Sequence, residues 1–286
     1  MFEPAIEQLK ASGRLFSLPQ SFRDYIKQHR MVLKGVAPHI SINRFSDLKK
    51  ELREAQCTVF RLGAHQGGNN TWFSIAKTVN SWDDYFFFDR DIWGSLDCEC
   101  FVPVLPDSSL LTYRIIPRLT ETSLVNLAFA SGLLHRALGL EKSELQAVPA
   151  TGKSTFSFKF RPHSSSEQWL QHVSGQVEID AIFTAQRQGK NCLFVIEAKS
   201  GTSLDSLSKQ KLVYPILSLR EMIPDDIEVV PVYLRTVTRS DGLEFNIAEC
   251  EYRMGAVSAP AIDELVVRKA SRWHLKGFTP SNREGG

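Results

Sequence analysis

The chain has 286 residues, 43% of them hydrophobic and 23% charged, with a formal net charge of +2. That length buries a substantial core, the balance is that of an ordinary globular protein, and no run approaches the roughly 18 apolar residues of a membrane span. The charge is too mild to demand a nucleic-acid partner, although acidic metal ligands can offset a basic contact surface. Met1 to Pro4 lack the basic start and apolar run of a secretory signal, so a cytoplasmic protein with no membrane association is expected. Cys57, Cys98, Cys100, Cys192 and Cys250 are odd in number, which argues against a disulfide framework. Cys98 and Cys100 have no second pair at zinc-finger spacing.

In chain order, helical periodicity runs over 21–32 and 45–55. Short strand-like runs follow at 58–62, 72–78 and 85–88, the first two separated by the turn signal Gly67-Gly68-Asn69-Asn70. Pro103, Pro106 and Asp107 mark a boundary. The expected organisation is therefore an N-terminal α+β region, 1–105, and a second domain, 106–286, ending in a polar tail. Beyond the boundary, 113–116 reads as a short strand and 122–138 as one amphipathic helix stopped by Gly139. Strands are expected at 155–160, 176–185 and 192–198, with a polar turn over 186–191. The unbroken Leu193-Phe194-Val195-Ile196 run implies burial on both faces. A helix interrupted at Pro215 covers 206–222, and strands close the pattern at 227–237 and 243–250. The fold class is α/β.

Two segments carry the chemistry: Gly175-Gln176-Val177-Glu178-Ile179-Asp180, and Phe194-Val195-Ile196-Glu197-Ala198-Lys199. Alternate residues of a strand share a face, so Glu197 points with Lys199, and Glu178 with Asp180. A short turn joins the two strands, and the resulting hairpin can bring Asp180 to Glu197 and Lys199. A buried apolar strand ending in Glu-Ala-Lys is costly unless the charges are paired or hold a metal. Two carboxylates suit Mg²⁺, which takes one or two of them and keeps its waters; Mn²⁺ can substitute. A neighbouring lysine can orient a metal-activated water or stabilise phosphorane charge. Glu178 reads as a group at the edge of such a site.

Asp180 followed by Glu197-Ala198-Lys199 resembles the PD-(D/E)XK nuclease superfamily, with Ile179 where the proline of the name stands. The resemblance spans about half the chain. It implies a restriction endonuclease-like core, a mixed β-sheet flanked by helices. Asp180 and Glu197 are then the Mg²⁺ ligands and Lys199 the residue that positions water. Gln210 and Tyr214 form a Gln-x-x-x-Tyr similar to that of helicase-linked nucleases of the family, where it borders the site and the DNA. Glu121, at the start of its helix, stands where many members place a further acid; a first-turn acid that merely complements the helix dipole is an equal reading. The implied function is a type II restriction endonuclease on double-stranded DNA, acting as a homodimer, with the N-terminal region reading the sequence. A structure-selective repair or recombination nuclease and an inactive DNA-binding module stay open.

Thr151-Gly152-Lys153-Ser154 lacks the upstream glycine of a phosphate loop, since Ala147 stands there. Lys153 is instead a candidate DNA-phosphate contact from a loop. His65, Gln66 and Asn69 lie in a loop rich in base-edge hydrogen bonders, for which a plain hairpin turn is the simpler reading. Arg268, Lys269, Arg272, Trp273, His274 and Lys276 form a basic, aromatic stretch, read as a phosphate contact or a solvated helix end.

Overall fold

Apolar residues at period two build the frame, and short helices cover its faces. The computed structural model describes residues 1–33, 35, 37–64, 70–141, 147–252 and 259–278. The strands are β1 (Gln20–Ser21), β2 (Cys57–Ala64), β3 (Thr71–Lys77), β4 (Phe86–Phe88), β5 (Cys98–Phe101), β6 (Ala150–Phe160), β7 (Leu170–Arg187), β8 (Lys190–Gly201), β9 (Ser206–Ser208), β10 (Glu228–Arg239), β11 (Gly242–Glu251) and β12 (Val266–Lys276). The helices are α1 (Glu3–Ser12), α2 (Phe22–Gln28), α3 (Ala37–Ile40), α4 (Lys50–Glu54), α5 (Asp89–Trp93), α6 (Leu111–Ile115), α7 (Glu121–Ala130), α8 (Leu133–Leu138) and α9 (Gln210–Leu219).

One mixed sheet runs in the order β1-β3-β2-β7-β8-β10-β11-β12-β5, with β6 also paired to β7; β4 and β9 form a separate pair. β7 and β8 are antiparallel, whereas β8 and β10 are parallel and are connected through α9. One face of β8 and β10 packs Ile196, Ala198, Val232 and Leu234 against Leu124, Leu127, Ala128 and Leu134 of α7 and α8. The other face packs Val195 and Tyr233 with Leu212, Val213 and Ile216 of α9 and with the N-terminal aromatics. The molecule is thus mixed α/β, a large mixed sheet flanked by helices. Among the described residues no helix is long and apolar enough to cross a membrane.

Residue 105 is no break in packing. Phe2, Phe60 and Trp93 share a core cluster with Leu212 and Tyr233, and β5 pairs with β12. β2 meets β7 through the pair Gly63↔Val173. There the backbones approach so closely that a Cβ on Gly63, at φ +77°, would lie 2.2 Å from the Val173 carbonyl oxygen. Gly63→Ala combines that clash with a left-handed backbone. The substitution is expected to lower stability by at least about 1–2 kcal/mol in urea unfolding, and an unchanged midpoint would contradict this reading of the junction.

Several sequence expectations are corrected. The strand over 113–116 is helical: α6 follows a 3₁₀ turn at Asp107–Leu110, and Arg114 reaches back to Asp107 at 2.8 Å. The helix over 122–138 is two helices, broken where Gly132 adopts φ +82° against Val104. The 45–55 helix splits into a 3₁₀ turn, Phe45–Asp47, and α4. Residues 206–208 are strand because they pair with β4, and α9 continues through Pro215. The basic stretch from Arg268 to Lys276 is strand, β12, rather than a helix end. It pairs with β11, and Arg272 ties to Glu244 at 3.0 Å. Lys153 lies on β6, not in a loop. β1, α1 and β5 were not anticipated.

Candidate active site

β7 and β8 are hydrogen-bonded from Ala181↔Ile196 to the turn at Arg187↔Lys190. Just beyond this ladder Asp180 turns its carboxylate across, and its Oδ2 accepts from the Ala198 amide at 2.9 Å. On β8, Glu197 and Lys199 share the α9 side of the sheet, opposite to Ala198. Lys199 Nζ lies 2.8 Å from Glu197 Oε1, 3.3 Å from Glu121 Oε2 and 3.5 Å from Asp180 Oδ2. It also donates to the Ala198 carbonyl at 2.6 Å. Glu121 opens α7, whose N-cap Thr120 accepts from Ser123. Its Oε1 accepts from the Ser200 amide at 3.1 Å, which fixes the carboxylate to the end of β8. Helix-dipole complementarity alone does not describe a side chain tied in this way.

The side chain of Glu197 is 3% exposed, and burial pushes its pKa up to about 7, against the pull of Lys199 and Lys211. Burial alone would lower the pKa of Lys199, but the three carboxylates hold it above its ordinary value. Lys199 therefore stays cationic while Glu197 titrates near neutrality. The raised Glu197 pKa means that the folded state binds this proton more tightly than the unfolded chain does. Its stabilising contribution is full below about pH 4.5 and is lost as pH rises through about 7. In EDTA, wild type is expected to lose stability relative to Glu197→Gln across that window, by about 3 kcal/mol. Urea midpoints of the two proteins measured from pH 4 to 8 check this; parallel curves would place the titration elsewhere.

Among the described residues no three His, Cys, Asp or Glu side chains gather to hold a metal. Asp180 and Glu197 make a two-carboxylate set, which suits an ion that keeps several waters. Glu197 Oε1 is buried with no aligned hydrogen bond despite its closeness to Lys199. A hard cation would satisfy an oxygen of that kind.

The other expected residues lie apart from this cluster. Gln210, at the start of α9, donates from Nε2 to the Ile42 and Val59 carbonyls at 3.1 and 3.4 Å. Tyr214 donates to the Arg61 carbonyl at 3.3 Å. Both side chains dock α9 onto the N-terminal region and line a cleft with Glu178 and Lys211. Glu178 is exposed and pairs in register with Lys153, also exposed. His65, Gln66 and Asn69 lie outside the described residues.

Two features carried little signal in the sequence. Asp89 is wholly buried between Tyr233 and Arg235, the β10 residues in register with Glu197 and Lys199. Lys211 is close enough to Glu197 to favour its ionised form; its position beside Gln210 was the available hint.

The class that fold and site define is a mixed α/β protein whose central hairpin gathers acidic side chains around one lysine. Residues 105–258, more than half of the chain, match a family described as a domain of unknown function, DUF6997. The chain belongs to that family, and the matched stretch contains Glu121, Asp180, Glu197 and Lys199. No curated protein and no solved structure matches.

Proposed function

We propose that this protein is a Mg²⁺-dependent endodeoxyribonuclease with a PD-(D/E)XK-type core. The observation that carries the reading is the convergence of Asp180, Glu197 and Glu121 on Lys199 Nζ, from two adjacent strands and a helix N-terminus. Asp180 and Glu197 are the ligands in this reading. The bound ion would polarise the phosphodiester and acidify its water. The chain's own residues do the rest. Lys199 holds positive charge where phosphorane charge develops. Glu121 holds Lys199 and the Ser200 amide in place, and the Ala198 amide orients Asp180.

Restriction of duplex DNA by a homodimer is one form of this activity, since two-fold symmetry suits cutting both strands. The N-terminal region would then contribute to recognition. Action on ends or junctions is the other form, and the Gln210–Tyr214 pair on α9 favours it.

The test is incubation of plasmid, linear and branched DNA with Mg²⁺ or Mn²⁺, beside Asp180→Ala and Lys199→Ala. Metal-dependent cutting by wild type alone is expected. Discrete fragments from a plasmid support restriction; preference for branched or frayed substrates supports structure selection. DNA binding with a normal salt slope and no cutting would replace both with a binding module.

A further inference from the structure

β5 is the last strand of the sheet and, among the described residues, pairs only with β12. Its outer edge carries backbone N–H and C=O groups with no ladder partner, a template for one more strand. Cys98, Glu99 and Cys100 are exposed, and only Phe101 of this strand is buried. The chain that leaves β5 is apolar and open to solvent. Val102 is 77% and Val104 74% exposed, and Leu105, Leu111, Ile115 and Ile116 follow them at the surface. Leu111 and Ile115 stand one turn apart on one side of α6. Single exposed apolar residues need no account, but a run of them beside an open sheet edge marks a surface that another chain covers.

The charges indicate which chain. From Cys98 to Pro117 the charged residues are Glu99, Asp107 and Arg114. Glu99 lies 3.6 Å from Arg136 of α8, and Asp107 lies 2.8 Å from Arg114. Acid and base are thus balanced and paired, with no net charge to attract a charged partner or to repel a second copy. Register follows from the same rule. Two β5 strands pairing antiparallel about a two-fold axis at Glu99 would set two carboxylates face to face, which is unfavourable. An axis at Cys100 instead sets Glu99 opposite Phe101 of the second copy, and Cys98 opposite its Val102.

We propose that β5 and the apolar segment behind it form an isologous interface between two copies of this chain, joined into one continuous sheet with the two-fold axis at Cys100. The paired edges supply main-chain hydrogen bonds, and Val102, Val104 and Leu111 supply the apolar contact that an edge pair alone lacks. This interface stands on the surface itself and not on the nuclease reading.

Cys57, Cys192 and Cys250 are buried, so Cys98 and Cys100 are the exposed thiols. Directly opposed residues of an antiparallel pair have Cα atoms about 4.5–5.5 Å apart, within disulfide reach. Air oxidation with copper phenanthroline takes two electrons and two protons from each thiol pair. It is expected to trap a covalent dimer of wild type and of Cys98→Ser, but not of Cys100→Ser, on a non-reducing gel. Sedimentation velocity of the full chain in reducing buffer reads the free equilibrium. Wild type is expected to pass from monomer to dimer as concentration rises. Val102→Glu should weaken the dimer by about a hundredfold or more, because the two-fold buries the new carboxylate twice. Val32→Glu, at a side chain 98% exposed between α2 and α3, should not. Both variants should unfold at the wild-type urea midpoint where wild type is monomeric. A monomer at every concentration, crosslinking that survives Cys100→Ser, or equal dimerisation of Val102→Glu and wild type would each overturn the interface. DNA cutting by a monomer removes the interface and leaves the nuclease; a β5-linked dimer that cuts nothing does the reverse.

Discussion

Lys199→Ala is expected to cut DNA about 10²–10⁴-fold more slowly than wild type in Mg²⁺, while binding the ion at least as tightly. The two effects separate because of where the ammonium sits. Its Nζ lies within 3.5 Å of Asp180, Glu197 and Glu121 carboxylate oxygens. Removing it takes away the charge that would meet a developing phosphorane, and leaves the acidic groups with less neutralisation, which strengthens attraction for a divalent cation. Asp180→Ala should lose both properties, since it deletes an oxygen ligand. It also leaves the Ala198 amide without its acceptor. Single-turnover cleavage with isothermal titration of Mn²⁺ reads the two quantities independently. Wild-type cutting by Lys199→Ala, or undiminished metal affinity in Asp180→Ala, would remove the roles assigned to these residues.

The largest expected loss of stability comes from Asp89→Ala, at about 3–5 kcal/mol. Asp89 is fully buried. Its Oδ1 accepts from the Tyr233 hydroxyl at 2.9 Å, its Oδ2 accepts from the Asp205 amide at 2.7 Å, and Arg235 Nε lies 3.2 Å away. Burial raises the pKa of Asp89, and the neighbouring donors and Arg235 oppose that shift. Alanine would leave a guanidinium that is 7% exposed with only Asp205, at 3.9 Å, as counter-charge, and would strand a buried hydroxyl and an amide. Breaking one side of a buried pair costs far more than the intact pair contributes. The effect reaches the candidate site, because Tyr233 and Arg235 stand in register with Glu197 and Lys199. Urea unfolding with a loss below about 1 kcal/mol would mean that water reaches the network.

How much of this was legible in the sequence varies along the chain. The hairpin of β7 and β8 was, because its residues alternate and a short polar turn joins them. The double-sided burial of β8 was legible from Leu193 to Ile196, which now pack on both faces. The juxtaposition of Asp180 with Glu197 and Lys199 followed from the same two-residue period. Gly132 was the visible signal for the break between α7 and α8, but helical periodicity on both sides concealed it. Arg61, set between Phe60 and Leu62 in an apolar strand, was a readable anomaly in a segment classed only as a strand. The assignments of 206–208 and β12 were not legible, because both are decided by pairing with β4 and β11.

The sequence by itself determined which residues could share a face of a strand or helix, because that depends only on backbone period. It thereby identified the acid–acid–lysine set on the central hairpin. The tertiary structure alone decided what surrounds that set: Glu121 arriving from α7, the Asp89 network behind β10, and α9 docked through Gln210 onto the Ile42 carbonyl. Those contacts join residues 78 to 168 positions apart. They depend on how the layers close over the sheet, and local pattern carries no record of that.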